Sequence, residues 1–153
     1  MNNHTREIVH SSKSVEWPTP QDLFDRLNAI YHFQLDPCST DENTKCGNHF
    51  TIADNGLMQK WHPFKSVFMN PPYGAREIPK WIQKAYEESC EGCVVVCLIP
   101  ARTDTRWFHD YCLKYGKVEF IRGRLTFMGS ENPAPFPSAI VVFENQKQRT
   151  EMK

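Results

Sequence analysis

Between residues 66 and 100 the chain spells a strand, a helix and a second strand, and this alternation narrows its fold more than any other feature. Ser66 to Met69 is a short, buried-looking strand that runs directly into Asn70, Pro71, Pro72, Tyr73 and Gly74. Two consecutive prolines stop a β ladder there, because neither has an N–H to give. Ile78, Trp81, Ile82, Ala85 and Tyr86 then recur at helical spacing. The run from Cys93 to Ile99 is apolar without a break and closes at Pro100, which reads as a further strand. Strands alternating with helices predict an α/β sandwich around a mostly parallel sheet.

The flanking sequence fits the same plan. Pro18 and Pro20 precede Gln21 to Ile30, where Leu23, Phe24, Leu27 and Ile30 mark a first helix starting near Pro20. Phe33 and Leu35 suggest a short strand with Asp36 at its carboxyl end. Cys38 to Asn48 is polar and lacks a helical period, and Phe50, Ile52 and the turn Asp54, Asn55, Gly56 suggest a second short extended segment. Trp107, Phe108, Tyr111 and Cys112 give another helix. Val118 to Ile121 and Ala139 to Phe143 supply two closing strands with no helical pattern between them, and so are expected to pair as an antiparallel hairpin at one edge.

A chain of 153 residues, 40% hydrophobic and 24% charged, can bury one core. The expected folded body is a single domain over residues 17–144, between a flexible N-terminal segment 1–16 and a polar tail 145–153. No apolar stretch approaches the ~20 residues that span a bilayer, and the N-terminus lacks the pattern of a signal peptide, so a cytoplasmic protein without a membrane partner is expected. The six cysteines are read as free thiols, since Cys97 lies in an apolar run and Cys112 in a helical pattern. Cys90, Cys93 and Cys97 have superficially metal-like spacing, but no second pair follows, and no metal is expected. Eighteen basic residues balance eighteen acidic ones, so net charge carries no nucleic-acid footprint; Arg102, Arg106, Arg122 and Arg124 do cluster in the second half.

Ligands of open parallel sheets bind outside the carboxyl ends of the strands. Three strand ends carry unusual chemistry: Asp36, Pro37, Cys38, Ser39; then Asn70, Pro71, Pro72, Tyr73; then Pro100, Ala101, Arg102, Thr103, Asp104. An exocyclic amine conjugated to a ring is a poor nucleophile, because its lone pair is delocalised. Acceptors that favour a more tetrahedral nitrogen activate it, and Asn70 can supply a side-chain oxygen and Pro71 a carbonyl. The prolines hold this acceptor-rich turn rigid, and Tyr73 can stack on a base taken out of its duplex. Asn70, Pro71, Pro72 and Tyr73 look like the catalytic motif of amino-methyltransferases, whose substrates include DNA, RNA and protein glutamine. A non-catalytic binding module with the same fold is the alternative from another class.

Trp17 to Pro20, Asp36 to Cys38, Asn70 to Gly74, Pro100 to Thr105, Gly123 to Phe127 and Ala134 to Phe136, in this order and spacing, resemble the phage and prophage type of DNA adenine methyltransferase, the small Dam-like family. The resemblance covers almost the whole folded body. It implies a reduced Rossmann-like fold that uses S-adenosyl-L-methionine and methylates the N6 amine of adenine in DNA, within a host cytoplasm if the gene is a phage's. It also implies that Trp17, Thr19, Pro20, Asp36, Pro37, Cys38 and Asn70 meet the cofactor, with Thr19 and Pro20 beside its methionine moiety. Asp36 would reach its amino group or ribose, a capping role being the other reading. Asp54 is either a second acidic contact or the start of an Asx turn.

On the DNA side the candidates are Arg102, Thr103, Asp104, Arg122, Arg124, Phe127 and Phe136, with Arg102 on phosphate or the flipped nucleotide and Phe127 or Phe136 closing the adenine pocket opposite Tyr73. Thr103 or Asp104 can equally cap the helix that contains Trp107, and Phe127 or Phe136 can equally be core. The sequence departs from the wider methyltransferase pattern at Ser39, Thr40 and Asp41, which stand where a glycine-rich loop would approach the cofactor. With no room for a separate recognition domain, specificity must come from loops such as Gly129 to Pro137 or from a second subunit, and the short chain makes a homodimer an attractive way to cover enough duplex.

Overall fold

The computed structural model describes residues 17–144 and Gln146, so the ends expected to fray lie, apart from that glutamine, outside the described residues. Helix α1, Gln21–Tyr31, starts behind Pro20, whose carbonyl accepts the first intrahelical bond from the Phe24 N–H at 3.1 Å. It ends at His32, whose φ of 51° turns the chain out while its N–H bonds back to the Asn28 carbonyl. Leu23, Phe24 and Leu27 form the buried stripe, and the Phe24 ring meets Phe68 edge-on at 5.3 Å.

Strands β1 (Leu35–Asp36), β2 (Asn48–His49), β3 (Ser66–Met69) and β4 (Val94–Pro100) run parallel, with helix α2 (Ile78–Cys90) between the last two. After β4 come helix α3, residues 106–115, then β5 (Lys117–Phe120) and β6 (Ser138–Phe143). The sheet order is β2-β1-β3-β4-β6-β5. The expected hairpin is present: β6 inserts antiparallel beside β4, and β5 forms the outer edge. Every residue of β3 and β6 is buried. Successive strand residues point to opposite faces, so both faces of the sheet are covered.

Three local expectations are corrected. The extended segment expected over Phe50 to Ile52 falls at Asn48–His49, because Thr51 already begins a turn closed by bonds to Asp54 and Asn55. Pro100 belongs to β4, opposite Ser138 at the end of the ladder, where its missing N–H leaves no gap inside the sheet. Helix α3 is wound as a π-helix over Phe108–Leu113, a geometry that apolar spacing does not distinguish from an ordinary helix.

The topology positions the site. From β1 the chain goes to β2 on one side, then returns to β3 on the other, so the strand order reverses between β1 and β3. At such a reversal the outgoing connections part and leave a crevice at the carboxyl ends. Asp36 closes β1 there, and Asn70 follows β3 beside it.

Candidate active site

Asn70 is held from two directions. Its side-chain Nδ2 donates to the Trp17 carbonyl at 2.6 Å and to Thr19 Oγ1 at 2.9 Å. A carbonyl can only accept, so the nitrogen must face Trp17 and the amide cannot be turned over without losing that bond. The remaining oxygen, Oδ1, is buried and has no protein partner. The Asn70 backbone carbonyl accepts the Cys38 thiol at 3.2 Å, tying the end of β3 to the loop after β1. Pro71 and Pro72 add carbonyls but no N–H, so no donor from the turn competes for Oδ1.

A cavity of about 480 Å³ opens at this point, within the range of small-molecule and cofactor sites. Of the residues singled out in the sequence, Trp17, Thr19, Asp36, Pro37, Cys38 and Asn70 line it, with Pro71 and Pro72. Asp36 is buried, and its carboxylate accepts the Cys38 N–H at 3.3 Å. Burial pushes its pKa up to about 6, only partly offset by the Cys38 amide and other neighbours.

Ser39, from the strand end singled out in the sequence, also lines the cavity, and sequence reasoning assigned no site role to Lys45, Ile52, Gly56 and Trp81, which line it as well. Gly56 is there for close approach: a side-chain carbon would overlap the Pro37 carbonyl oxygen and press on the Trp81 ring. The Gly56 carbonyl is fixed by the Trp61 indole N–H at 2.9 Å, and Trp61 stacks on Trp81 at 6.1 Å. The glycine of the Asp54, Asn55, Gly56 turn was the available signal, but only the fold reveals what it approaches.

Several expected residues stand elsewhere. Pro20 is buried at the helix start and is not part of the cavity wall. Asp54 is exposed, and its carboxylate closes its own turn by accepting the Thr51 N–H at 2.8 Å and Thr51 Oγ1 at 3.1 Å. Those bonds hold its pKa below the usual value. Tyr73 is not open for stacking: it is buried, its hydroxyl donates to the Leu98 carbonyl at 3.1 Å, and the rings of Phe127 and Phe136 stand edge-on to it at 6.2 and 5.6 Å. Trp17 completes a four-ring cluster, meeting Phe127 at 5.3 Å and Phe136 at 5.1 Å. Phe127 is buried and Phe136 half-buried.

The loop between β5 and β6 brings these rings to the site. It is tied to the N-terminal segment by the Met128 N–H on the Pro18 carbonyl at 3.1 Å, and closed on itself by Ala134 N–H to Leu125 O at 2.7 Å. Arg122 and Arg124 lie exposed at its start around Gly123, and Arg124 reaches the Ala134 carbonyl at 3.5 Å. Arg102, half-exposed, follows β4, while Thr103 and Asp104 are exposed and lie outside the cavity. Neither side chain caps α3 in the hydrogen bonds; Thr105 Oγ1 donates to the Arg102 carbonyl at 2.7 Å instead. Strands β4 and β5 both run antiparallel to β6, so all three arginines emerge from one edge of the sheet, the edge that carries Asn70.

All six cysteines are free. Among the described residues no group of three or more His, Cys, Asp or Glu side chains is arranged to hold a metal ion, and no helix is long and apolar enough to cross a membrane.

Fold and site together define a mixed α/β protein with a six-stranded, mostly parallel sheet and a ligand cavity at the point where its strand order reverses. The model of the DNA N-6-adenine-methyltransferase (Dam) family matches residues 7–151, and the chain belongs to that family. It is 29% identical over 111 residues to a DNA N-6-adenine-methyltransferase of Escherichia phage T1, an alignment covering 72% of this chain and 46% of that protein, so the chain spans just under half of that relative's length. To the DNA N-6-adenine-methyltransferase of Haemophilus phage HP1 (strain HP1c1) it is 28% identical over 149 residues, covering 92% of this chain and 84% of the relative.

Proposed function

We propose that the chain transfers a methyl group from S-adenosyl-L-methionine to the exocyclic N6 amine of adenine in DNA, on a reduced Rossmann-like scaffold. The observation that carries the reading is the Asn70 side chain: its nitrogen is bound by Trp17 and Thr19, and its oxygen is buried with no partner. A buried acceptor left without a donor costs about 1–3 kcal/mol unless a ligand completes it. An amine N–H completes it.

The cavity suits the donor as well. Ser39 and the buried Asp36 carboxylate lie in the same cavity, and the Ser39 side chain is among the groups that favour the ionised form of Asp36. When bound, S-adenosyl-L-methionine supplies an activated methyl group on a sulfonium. Asp36, Cys38 and Ser39 would hold it on the β1 side of the cavity.

The protein's own part is then orientation. Asn70 Oδ1 accepts one amine hydrogen and the Pro71 carbonyl the other, which draws the nitrogen lone pair out of conjugation. The Asn70 carbonyl, already engaged by Cys38, is left to hold the turn. Neither asparagine nor proline is a base, so the proton displaced from the methylated nitrogen passes to water. The base reaches Asn70 only after flipping, and Phe136 must swing off Tyr73 to let it stack. Phe136 is the ring best placed to move, being half-buried on the β5–β6 loop, whereas Phe127 is enclosed. Arg102, Arg122 and Arg124 contact phosphates around the flipped nucleotide.

Incubation with labelled S-adenosyl-L-methionine and unmethylated DNA tests the reading. Label should appear in adenine. Donor binding with no transfer to DNA of varied sequence, or transfer competed by RNA or protein and not by DNA, overturns the DNA assignment.

A further inference from the structure

Lys45 lines both the cavity and the adjoining groove, and its ammonium meets no anion among the described residues. Its Nζ rests on two neutral acceptors, Gln21 Oε1 at 2.7 Å and Met128 Sδ at 3.0 Å. A thioether sulfur is a weak acceptor, a poor final partner for an ammonium group. The ion pairs among the described residues engage His49, His62 and Lys84 and leave Lys45 out. Two carboxylates are nearby by position: Glu77 lines the same cavity and Glu42 the adjoining groove, and neither lies within ion-pair distance of it.

The opposite charge stands at the other end of the same residue. The backbone amide of Lys45 is among the groups that favour the ionised form of Asp36, so the two residues are neighbours in the fold. Both line one cavity, together with Ser39. A buried carboxylate and an ammonium without an anion in one cavity match a ligand that carries a cation and an anion on the same carbon.

We infer that Lys45 binds the α-carboxylate of the methyl donor while Asp36 takes its α-ammonium group, so that the amino-acid end lies against the β1 loop and the sulfur points toward Asn70. The inference rests on the donor proposed above. It goes further in assigning Lys45 a ligand and in fixing the direction in which the donor lies. On binding, the ammonium exchanges Met128 Sδ for a carboxylate oxygen; Met128 keeps its backbone bond to Pro18.

Two ligands that share a nucleoside and a thioether but differ at the amino-acid end separate the outcomes. S-adenosylhomocysteine carries that end; 5′-methylthioadenosine lacks it. Calorimetric titration of the full chain should show Lys45→Met binding S-adenosylhomocysteine about tenfold more weakly, a difference of ~1.4 kcal/mol. The same variant should bind 5′-methylthioadenosine as the unsubstituted chain does, and Lys45→Arg should retain most of the S-adenosylhomocysteine affinity. Equal weakening of both ligands would make Lys45 a support for the cavity wall and overturn the inference, as would unchanged affinity for both. If the unsubstituted chain binds neither ligand, the donor assignment itself fails, a result distinct from a failure confined to the Lys45 variants.

Discussion

The side-chain nitrogen of Asn70 donates to the carbonyl oxygen of Trp17 at 2.6 Å, a bond across 53 positions of sequence that decides which way the Asn70 amide faces. Because the donor half is used up by Trp17 and Thr19, the acceptor half is presented where no protein group meets it. Asn70→Ala should therefore lower kcat for methylation by about 10²- to 10³-fold, the usual cost of losing one preorganised polar group at a reacting centre. Thr19→Val keeps the shape and removes one of the two acceptors, so kcat should fall several-fold with donor KM little changed. Steady-state kinetics on both variants checks this. A Thr19→Val enzyme with a raised donor KM and normal kcat would show that Thr19 serves donor binding and not the orientation of Asn70.

The Tyr73 hydroxyl is hydrogen-bonded inside the protein to Leu98, on β4, and so is unavailable to substrate in this arrangement. What Tyr73 can offer a base is its ring. Tyr73→Phe should lose about 1 kcal/mol of stability, one neutral hydrogen bond, and keep near-normal kcat. Tyr73→Ala removes the stacking surface and opens a void, costing about 3–5 kcal/mol together with most of the activity. Chemical denaturation and single-turnover rates measured side by side test both statements. A large loss of rate in Tyr73→Phe would assign the hydroxyl a chemical role.

This contrast marks where the sequence is legible. Helix α2 and strands β3 and β4 can be read from it because their signals are local: apolar runs, helical spacing and proline stops lie within a dozen residues of one another. Asn70 was legible for the same reason, since its neighbours in sequence are its neighbours in the turn. The enclosure of Tyr73 was not legible, because its burial depends on Phe127 and Phe136, which arrive from a loop more than fifty positions away. Gly56 was legible only as a turn glycine and Lys45 carried no local pattern at all; what brings them to the site is contact with the Pro37 carbonyl in one case and the fold around Asp36 in the other. Strand β2 is two residues long, too short for a period to show.

Asp36 links stability and binding in opposite directions. Its pKa is raised by burial from the ordinary 3.8 to about 6, so between those values the folded state holds a proton that the unfolded chain has released. Stability therefore falls as pH rises through this window and stays lower above it. Asp36→Asn, which keeps an acceptor for the Cys38 amide, should be more stable than the parent at pH 8 by roughly 2–3 kcal/mol and show little advantage at pH 4. Donor affinity of the parent should weaken as pH drops below about 6 and its carboxylate is protonated, a dependence absent in Asp36→Asn. Melting curves and donor titrations across that range decide it; a variant no more stable at pH 8 than its parent would mean that relaxation or water already compensates the buried charge.

Gly56 admits the Pro37 carbonyl where any side chain would collide with backbone. Gly56→Ala forces the loops after β1 and β2 apart at the wall of the cavity, and the colliding atom belongs to the main chain and cannot rotate away. A loss of about 1–3 kcal/mol, the range for overpacking, should accompany weakened donor binding. The converse control is Gly47→Ala, where a side-chain carbon meets nothing within 4 Å and binding should be unaffected. Thermal denaturation with and without donor separates the two positions.

Glu88 connects the cavity to the rest of the fold by a route that never touches a ligand. One carboxylate oxygen accepts Lys84 Nζ at 2.7 Å; the other accepts the Trp61 N–H at 3.1 Å, the His62 N–H at 2.9 Å and His62 Nδ1 at 2.8 Å. Burial alone would raise its pKa, but Lys84, His62 and the Trp61 amide outweigh burial and hold it below the ordinary 4.5. A depressed carboxyl contributes stability above its unfolded value and loses it as pH falls through the folded one, so this contribution is present at neutral pH and disappears in acid below about 4.5. Glu88→Gln puts an NH₂ group where donors already converge, and should cost about 2–4 kcal/mol at pH 7. The gap between parent and variant should narrow as the pH falls below 4.5. Since Trp61 fixes the Gly56 carbonyl through its indole N–H, the variant should also bind the donor several-fold more weakly, without any change in the residues that line the cavity. A stability gap that stayed constant down to pH 3 would show that Glu88 acts by its shape and not by its charge.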